Sequence, residues 1–371
     1  MKNQTAKEKI RYAVVGLGDL AQVAILPAFK NTRNSELVAL VSGEAEKLTL
    51  LGKRYRVKHL YSYDEYDKAL SVVDAVYIVL PNNLHREYAV RAANASVHVL
   101  CEKPMAVTAQ ECEAMLKTAK SNNVKLMIAY RLHFEKGNLE AVRIAKSGKI
   151  GDLRIFTAEF AQQVPPGNVR LTDTQEEGGG PIYDMGVYCI NASRYLFDDE
   201  PTEVFAFAAS AKDPRFKKVE EMATVVLRYP KDRLASFTCS FGAAAISRYT
   251  LIGTKGVLTS DPAFDYTKPL KHSLTIGKKH SNKEFPVRDQ FAAEILYFSD
   301  CILKNKVPEP SGLEGLADIR IVRAIYDSIR TGKTINLSHM PSKKGPTPAQ
   351  EIYRPAHRQP KTVGVQSPSG G

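Results

Sequence analysis

Tryptophan is absent from the 371 residues of this chain, and no apolar run approaches the ~20 residues that a membrane-spanning helix needs. Cysteine is scarce. Cys101, Cys112, Cys189, Cys239 and Cys301 have neither CxxC spacing nor the density of a disulfide framework, so reduced core thiols are expected. The eight histidines form no HxxxH or HxH pair, and no metal site is readable. Residues 1–9 are polar and lack an apolar signal core, so an untargeted, cytoplasmic chain with a flexible start is expected.

What is present argues for folded domains. A hydrophobic fraction of 44% with 25% charged residues excludes a disordered chain and a collagen-like repeat. The length suits about two domains. The net charge of +12 invites a nucleic-acid reading. However, residues 341–371 alone carry five Lys/Arg against Glu351, and no zinc finger, basic helix or aromatic–glycine motif accompanies them. Neither a nucleic acid nor a membrane is the expected partner.

Residues 10–135 alternate short apolar runs (10–15, 36–41, 75–80, 97–101, 126–129) with amphipathic stretches of helical period, one of them starting behind Thr108 as N-cap. Such alternation predicts a parallel, doubly wound sheet covered on both faces. After Gly148 the pattern changes. Strand-like runs at 153–162, 202–209, 223–229, 234–241, 249–260 and 274–277, with short turns at 229–233 and 253–256, are interrupted by helices at 182–196, 289–304 and 315–331. This predicts a second domain over 136–340, α+β, with a large, open, mostly antiparallel sheet whose last helices can pack back on the first domain. Pro, Ser, Gly and Lys dominate 341–371, which is expected to be a disordered tail.

Directly after the first run comes Gly16-Leu17-Gly18-Asp19-Leu20-Ala21. Gly16 allows a tight turn, Gly18 removes a Cβ where a pyrophosphate approaches, and Ala21 lets the helix pack close to the strand. Gly16, Gly18, Leu20 and Ala21 are therefore expected against a dinucleotide, with Asp19 capping the helix. The second run ends in Ser42-Gly43 rather than an acidic residue. A small hydroxyl there leaves room for a 2′-phosphate, with Lys47 and Arg54 as counter-charges, which points to NADP rather than NAD.

Two further segments stand out. The fifth strand runs into Glu102-Lys103-Pro104, at the sheet end where ligands bind. The run Gly178-Gly179-Gly180 leads into a helix carrying Asp184 and Tyr188 on one face. With Pro81-Asn82-Asn83-Leu84-His85, these motifs resemble the glucose–fructose oxidoreductase and inositol dehydrogenase family over residues 8–335. They look most like its aldose-oxidising branch, which pairs Asp with Tyr and uses Ser-Gly-x-x-Glu-Lys for NADP, as at residues 42–47. The sequence Ala129-Tyr130-Arg131-Leu132-His133 is also similar to that branch. Its usual Trp before the arginine of the loop at Asn168-Val169-Arg170 is Val169 here.

The resemblance implies a sugar substrate between the two domains and a homodimer or homotetramer formed through the open sheet. Lys103, Asp184 and Tyr188 are the expected catalytic residues. Pro81, Asn82, His85, Glu102 and Arg131 are expected to line the cofactor channel; Tyr130, Arg170 and Asn191 are expected at the sugar. Tyrosine has an unperturbed pKa of ~10, and a nearby ammonium favours its phenolate. Tyr188 is thus the candidate base, with Asp184 holding the sugar and orienting Lys103; the alternative gives Lys103 the proton transfer. Other functions left open are a dehydrogenase of another cyclic polyol or dihydrodiol that releases its cofactor, and a sensor or scaffold that binds NADP without chemistry.

Overall fold

A computed structural model describes residues 9–338 and 345–365. Strands β1 (Ile10–Val15), β2 (Ser35–Val41), β3 (His59–Tyr61), β4 (Ala75–Ile78), β5 (His98–Glu102) and β6 (Leu126–Ala129) form one sheet in the order β3-β2-β1-β4-β5-β6. Every pair in it is parallel. The apolar runs of β1 and β4 read as continuous because helices cover both faces, and all four residues of β4 are buried. On one face lie helices His85–Asn94 and Ala109–Ser121. The second starts with a capping box, in which Thr108 Oγ1 accepts from the Glu111 N–H at 3.2 Å and the Glu111 carboxylate accepts from the Thr108 N–H at 2.9 Å. On the other face Phe291, Ile295 and Phe298 of the late helix Gln290–Leu303 pack with Tyr12, Leu40 and Leu100. Strand order reverses between β1 and β4, which opens a crevice above their carboxyl ends.

The second sheet comprises β7 (Leu153–Ala161), β8 (Glu203–Ala209), β9 (Met222–Tyr229), β10 (Arg233–Ser240), β11 (Ile246–Gly253), β12 (Gly256–Ser260), β13 (Leu270–Ile276), β14 (Lys279–Phe285) and β15 (Ile335–Asn336). Their order is β14-β13-β12-β11-β7-β10-β9-β8-β15, and β10 with β7 is a parallel pair within an otherwise antiparallel sheet. The strand-like run over 249–260 is two antiparallel strands, joined at the turn expected over 253–256. β14 was not foreseen: six of its seven residues are exposed, so it has no apolar alternation to read. Helices Val187–Phe197 and Gly312–Thr331 cover one face. The other face presents Ile155, Phe207, Val226 and Leu234 among threonines, and Phe207 is 66% exposed. The five cysteines are buried and free. No helix among the described residues is long and apolar enough to cross a membrane.

The expectation of a disordered tail fails over 345–365; residues 341–344 and 366–371 lie outside the described residues. The ordered stretch is a strap along the first domain. Gln350 Nε2 donates to the Glu309 carbonyl at 3.1 Å, and Arg354 Nε donates to the Asn31 carbonyl at 2.9 Å. His357 lies 3.0 Å from Asp289 Oδ2 and 3.1 Å from the Val23 carbonyl. A composition poor in apolar residues says nothing of backbone groups that find partners on an already folded body.

Candidate active site

The dinucleotide crevice is built first by glycines. Gly16 has φ +95°, and a Cβ there would lie 2.3 Å from the Val79 carbonyl oxygen, so both the turn and the close strand contact exclude other residues. Gly18 is exposed, and a Cβ on it would meet nothing within 4 Å. That open space over a helix start is what an approaching pyrophosphate requires, and Ala21 is fully buried where the helix meets the strand. At the end of β2, Ser42 Oγ accepts the Glu44 N–H at 3.2 Å, and Lys47 is buried and paired with Glu44. The Lys47 ammonium thus faces the Ser42 loop, as a 2′-phosphate site needs. Arg54 does not join it. It lies about 10 Å further along the same helix, and its guanidinium donates to the Lys361 carbonyl at 2.7 Å.

The catalytic candidates converge from three stretches of chain. Lys103 Nζ donates to Asp184 Oδ1 and to the Asp184 carbonyl, each at 2.9 Å. Arg170 Nε meets Asp184 Oδ2 at 2.7 Å, so the carboxylate is held from both sides. Lys103 Nζ lies 4.7 Å from the centre of the Tyr188 ring, and Arg131 Cζ 5.2 Å from it. Burial works against charge on Asp184, but Arg170 and Lys103 outweigh it and bring its pKa down to about 2. Burial likewise opposes the Lys103 ammonium, and Asp184 with Tyr188 more than compensates, so its pKa is raised. The Lys103–Pro104 bond is cis. Asp184 sits in a widened turn, Ile182–Gly186, ahead of helix Val187–Phe197 that carries Tyr188. Gly186 faces the core rather than a ligand: it is buried, and a Cβ there would stand in ordinary contact with Phe237 and Cys239 at 3.4 and 3.5 Å.

Other expected site residues go elsewhere. Asn191 is buried in a polar cluster: its amide donates to Glu314 and Asp318 at 3.0 Å each, and its oxygen lies 2.8 Å from His133 Nε2. Tyr130 is buried in the same cluster, with its hydroxyl on Asp318. Every polar group of that pair is spent within the core rather than turned toward the crevice. His85 is buried with its two ring nitrogens 2.9 Å from the Pro104 and Leu80 carbonyls. It braces the loops after β4 and β5 rather than lining the channel. Glu102 turns inward too: Tyr77 donates to it at 2.9 Å and also lies 2.8 Å from Glu294. Asn82 Nδ2 donates to the Gly178 carbonyl at 2.7 Å, tying the β4 loop to the glycine run of the second domain. Pro81 is exposed beside it.

Asp19 does not cap its helix, which has no side-chain cap bond. Burial raises its pKa, and Arg170 pulls it back. Sequence reading missed the shell of Arg131, whose guanidinium donates to Gln290 Oε1 and the Phe264 carbonyl at 2.6 Å each and lies 5.1 Å from the Tyr266 ring centre. Tyr266 and Gln290 are over 130 residues away in the chain and carry no motif that could have signalled them.

Comparison with known proteins fits this geometry. The model of an oxidoreductase family with an NAD-binding Rossmann fold matches residues 10–130, and that of the GFO/IDH/MocA C-terminal domain matches 138–259. The chain is 32% identical to D-xylose 1-dehydrogenase [NADP(+)] of Haloarcula marismortui over 91% of this chain and 96% of that protein. It resembles the crystal structure of aldose–aldose oxidoreductase from Caulobacter crescentus with a TM-score of 0.85 and 37% identity, covering 89% of this chain and all (100%) of that one. A 3-ketoreductase from Actinomadura kijaniata, solved with NADP and TDP-benzene, follows at TM-score 0.78 and 26% identity, covering 86% and 98%. Two domain matches in tandem, and a relative at this identity along nearly its whole length, make the chain a member of the glucose–fructose oxidoreductase, inositol dehydrogenase and MocA family of oxidoreductases.

Proposed function

We propose that this protein oxidises an aldose at its anomeric C–OH to the aldonolactone with NADP, residues 10–135 binding the dinucleotide and 136–340 binding the sugar and forming the oligomer. The bound nicotinamide supplies the hydride acceptor. Ser42 and Lys47 hold the 2′-phosphate, and the Gly16–Gly18 loop receives the pyrophosphate. Tyr188 Oη takes the hydroxyl proton of the sugar and returns it in the reverse direction. Lys103 and Arg131 lie against the Tyr188 ring and stabilise the negative charge that passes through it.

The observation that carries this reading is the Lys103–Asp184–Arg170 arrangement beside Tyr188. A lysine with a raised pKa, held by an ionised carboxylate, stays an ammonium, which leaves Tyr188 rather than Lys103 to move the proton. Asp184 spends both oxygens on cations and so acts as the group that orients Lys103 and Arg170. A sensor or scaffold has no use for three charged groups clamped around a phenol.

Lys103→Met and Tyr188→Phe are each expected to cut turnover by about 10²–10⁴-fold with NADP and a panel of aldoses. Near-native activity in both variants ends the assignment. Following the reduced-nicotinamide absorbance of the purified protein before and after adding aldose distinguishes a retained cofactor, and coupled reduction of a second sugar, from one released at each turnover.

A further inference from the structure

The strap runs against the part of the crevice assigned above to the 2′-phosphate of NADP. Gln22 lies in the helix that follows the glycine loop and is fully buried. Its Nε2 donates to the Leu17 carbonyl, inside the GxG turn, and to the Val363 carbonyl, both at 2.9 Å, while its Oε1 accepts the Val363 N–H at 2.7 Å. One side chain thus joins the phosphate loop to the strap. Gly364 comes next. A Cβ on it would stand 3.2 Å from Lys47 Cε and 3.6 Å from Glu44 Oε2, so the backbone here touches both members of the ion pair at the Ser42 loop. Arg54 fixes the approach through the Lys361 carbonyl.

We infer that residues 361–364 form the outer wall of the 2′-phosphate site and that the strap retains NADP(H). The inference rests on the NADP reading and extends it to a segment outside both matched domains. Its physical basis is linkage: Gln22 ties Val363 to the glycine loop and Gly364 lies against Lys47, so a nucleotide seated there contacts the closed strap, each stabilises the other, and release is slowed by the same coupling. Glu44, which pairs with Lys47, is the group a 2′-phosphate must displace. A glycine at 364 keeps the wall close to Lys47 without a side chain filling the space.

Two variants test this. One ends the chain after Gln359; the other, Val363→Pro, removes the N–H that Gln22 Oε1 accepts, together with the packing of the Val363 side chain. Thermal melting checks that each is folded. In stopped-flow displacement, NADPH is expected to leave each variant about tenfold faster than the full chain, equivalent to about 1.4 kcal/mol, and NADH release is expected to change less. Trypsin cleavage of the full chain after Arg358 and Lys361 should be slowed by NADPH more than by NADH. Unchanged or slower NADPH release from folded variants overturns the strap's role and leaves the cofactor reading standing. A full-length chain that binds NADPH no better than NADH overturns the cofactor reading, and the inference with it.

Discussion

Asp184 shows how much one side chain can depend on its surroundings. Its folded pKa of about 2 lies below the unfolded value of 3.8, so its ionised form stabilises the fold above pH 4. That contribution, about 2 kcal/mol, fades as pH falls from about 4 through about 2. Urea unfolding of Asp184→Asn should therefore show a deficit against the parent at pH 7 that has shrunk to about a third by pH 2.5. A deficit of equal size at both would remove the ion-pair account. The convergence of Lys103, Asp184 and Tyr188 was legible because each belongs to a short motif whose position relative to a strand or a glycine run is itself informative. Tyr130 and Asn191 lie next to motif residues in the chain, but neighbours along a helix or turn need not face the same space. Only the packed structure showed that both face Asp318.

At the scale of elements, helix Val187–Phe197 has two jobs. Tyr188 faces the crevice, while Asn191 and Arg194 anchor the helix to Gly312–Thr331 through Glu314 and Asp318, Arg194 Nη1 meeting them at 2.9 and 2.6 Å. Asn191→Ala leaves Glu314, Asp318 and His133 short of a partner, and is expected to destabilise the protein by about 1–3 kcal/mol with the KM for the sugar unchanged. A raised KM in a protein of normal stability would return Asn191 to the substrate site. The periodicity of buried strands and amphipathic helices made most elements readable to within a residue or two at their ends. The unforeseen strands β3, β14 and β15 share a cause: each lies at the edge of its sheet, where pairing with one neighbour replaces the apolar burial that a sequence pattern reports.

For the whole molecule, the open face of the second sheet is the surface through which we propose that subunits pair. Threonine pairs such as Thr224–Thr238 at 2.9 Å and cross-strand ion pairs such as Arg248–Glu159 at 3.0 Å alternate there with exposed Ile155, Phe207 and Leu234. A mixed face of this kind suits a wet, specific subunit interface. Phe207→Asp combined with Leu234→Asp should lower the mass measured by light scattering, with each subunit still folded by circular dichroism. An unchanged mass would exclude the sheet as the assembly surface.

The sequence by itself determined the two-domain plan, the dinucleotide crevice and the identity of the central lysine, carboxylate and phenol. Hydrophobic period and glycine placement are local properties, and the chain carries them openly. Only the tertiary structure decided that Arg170 closes the far side of Asp184, that Arg131 is seated on Gln290, Phe264 and Tyr266, and that the basic C-terminal stretch lies on the first domain. Those contacts join residues far apart in the chain through single hydrogen bonds and charges. Such pairings leave no periodicity in the sequence, because each is set by where two folded surfaces meet.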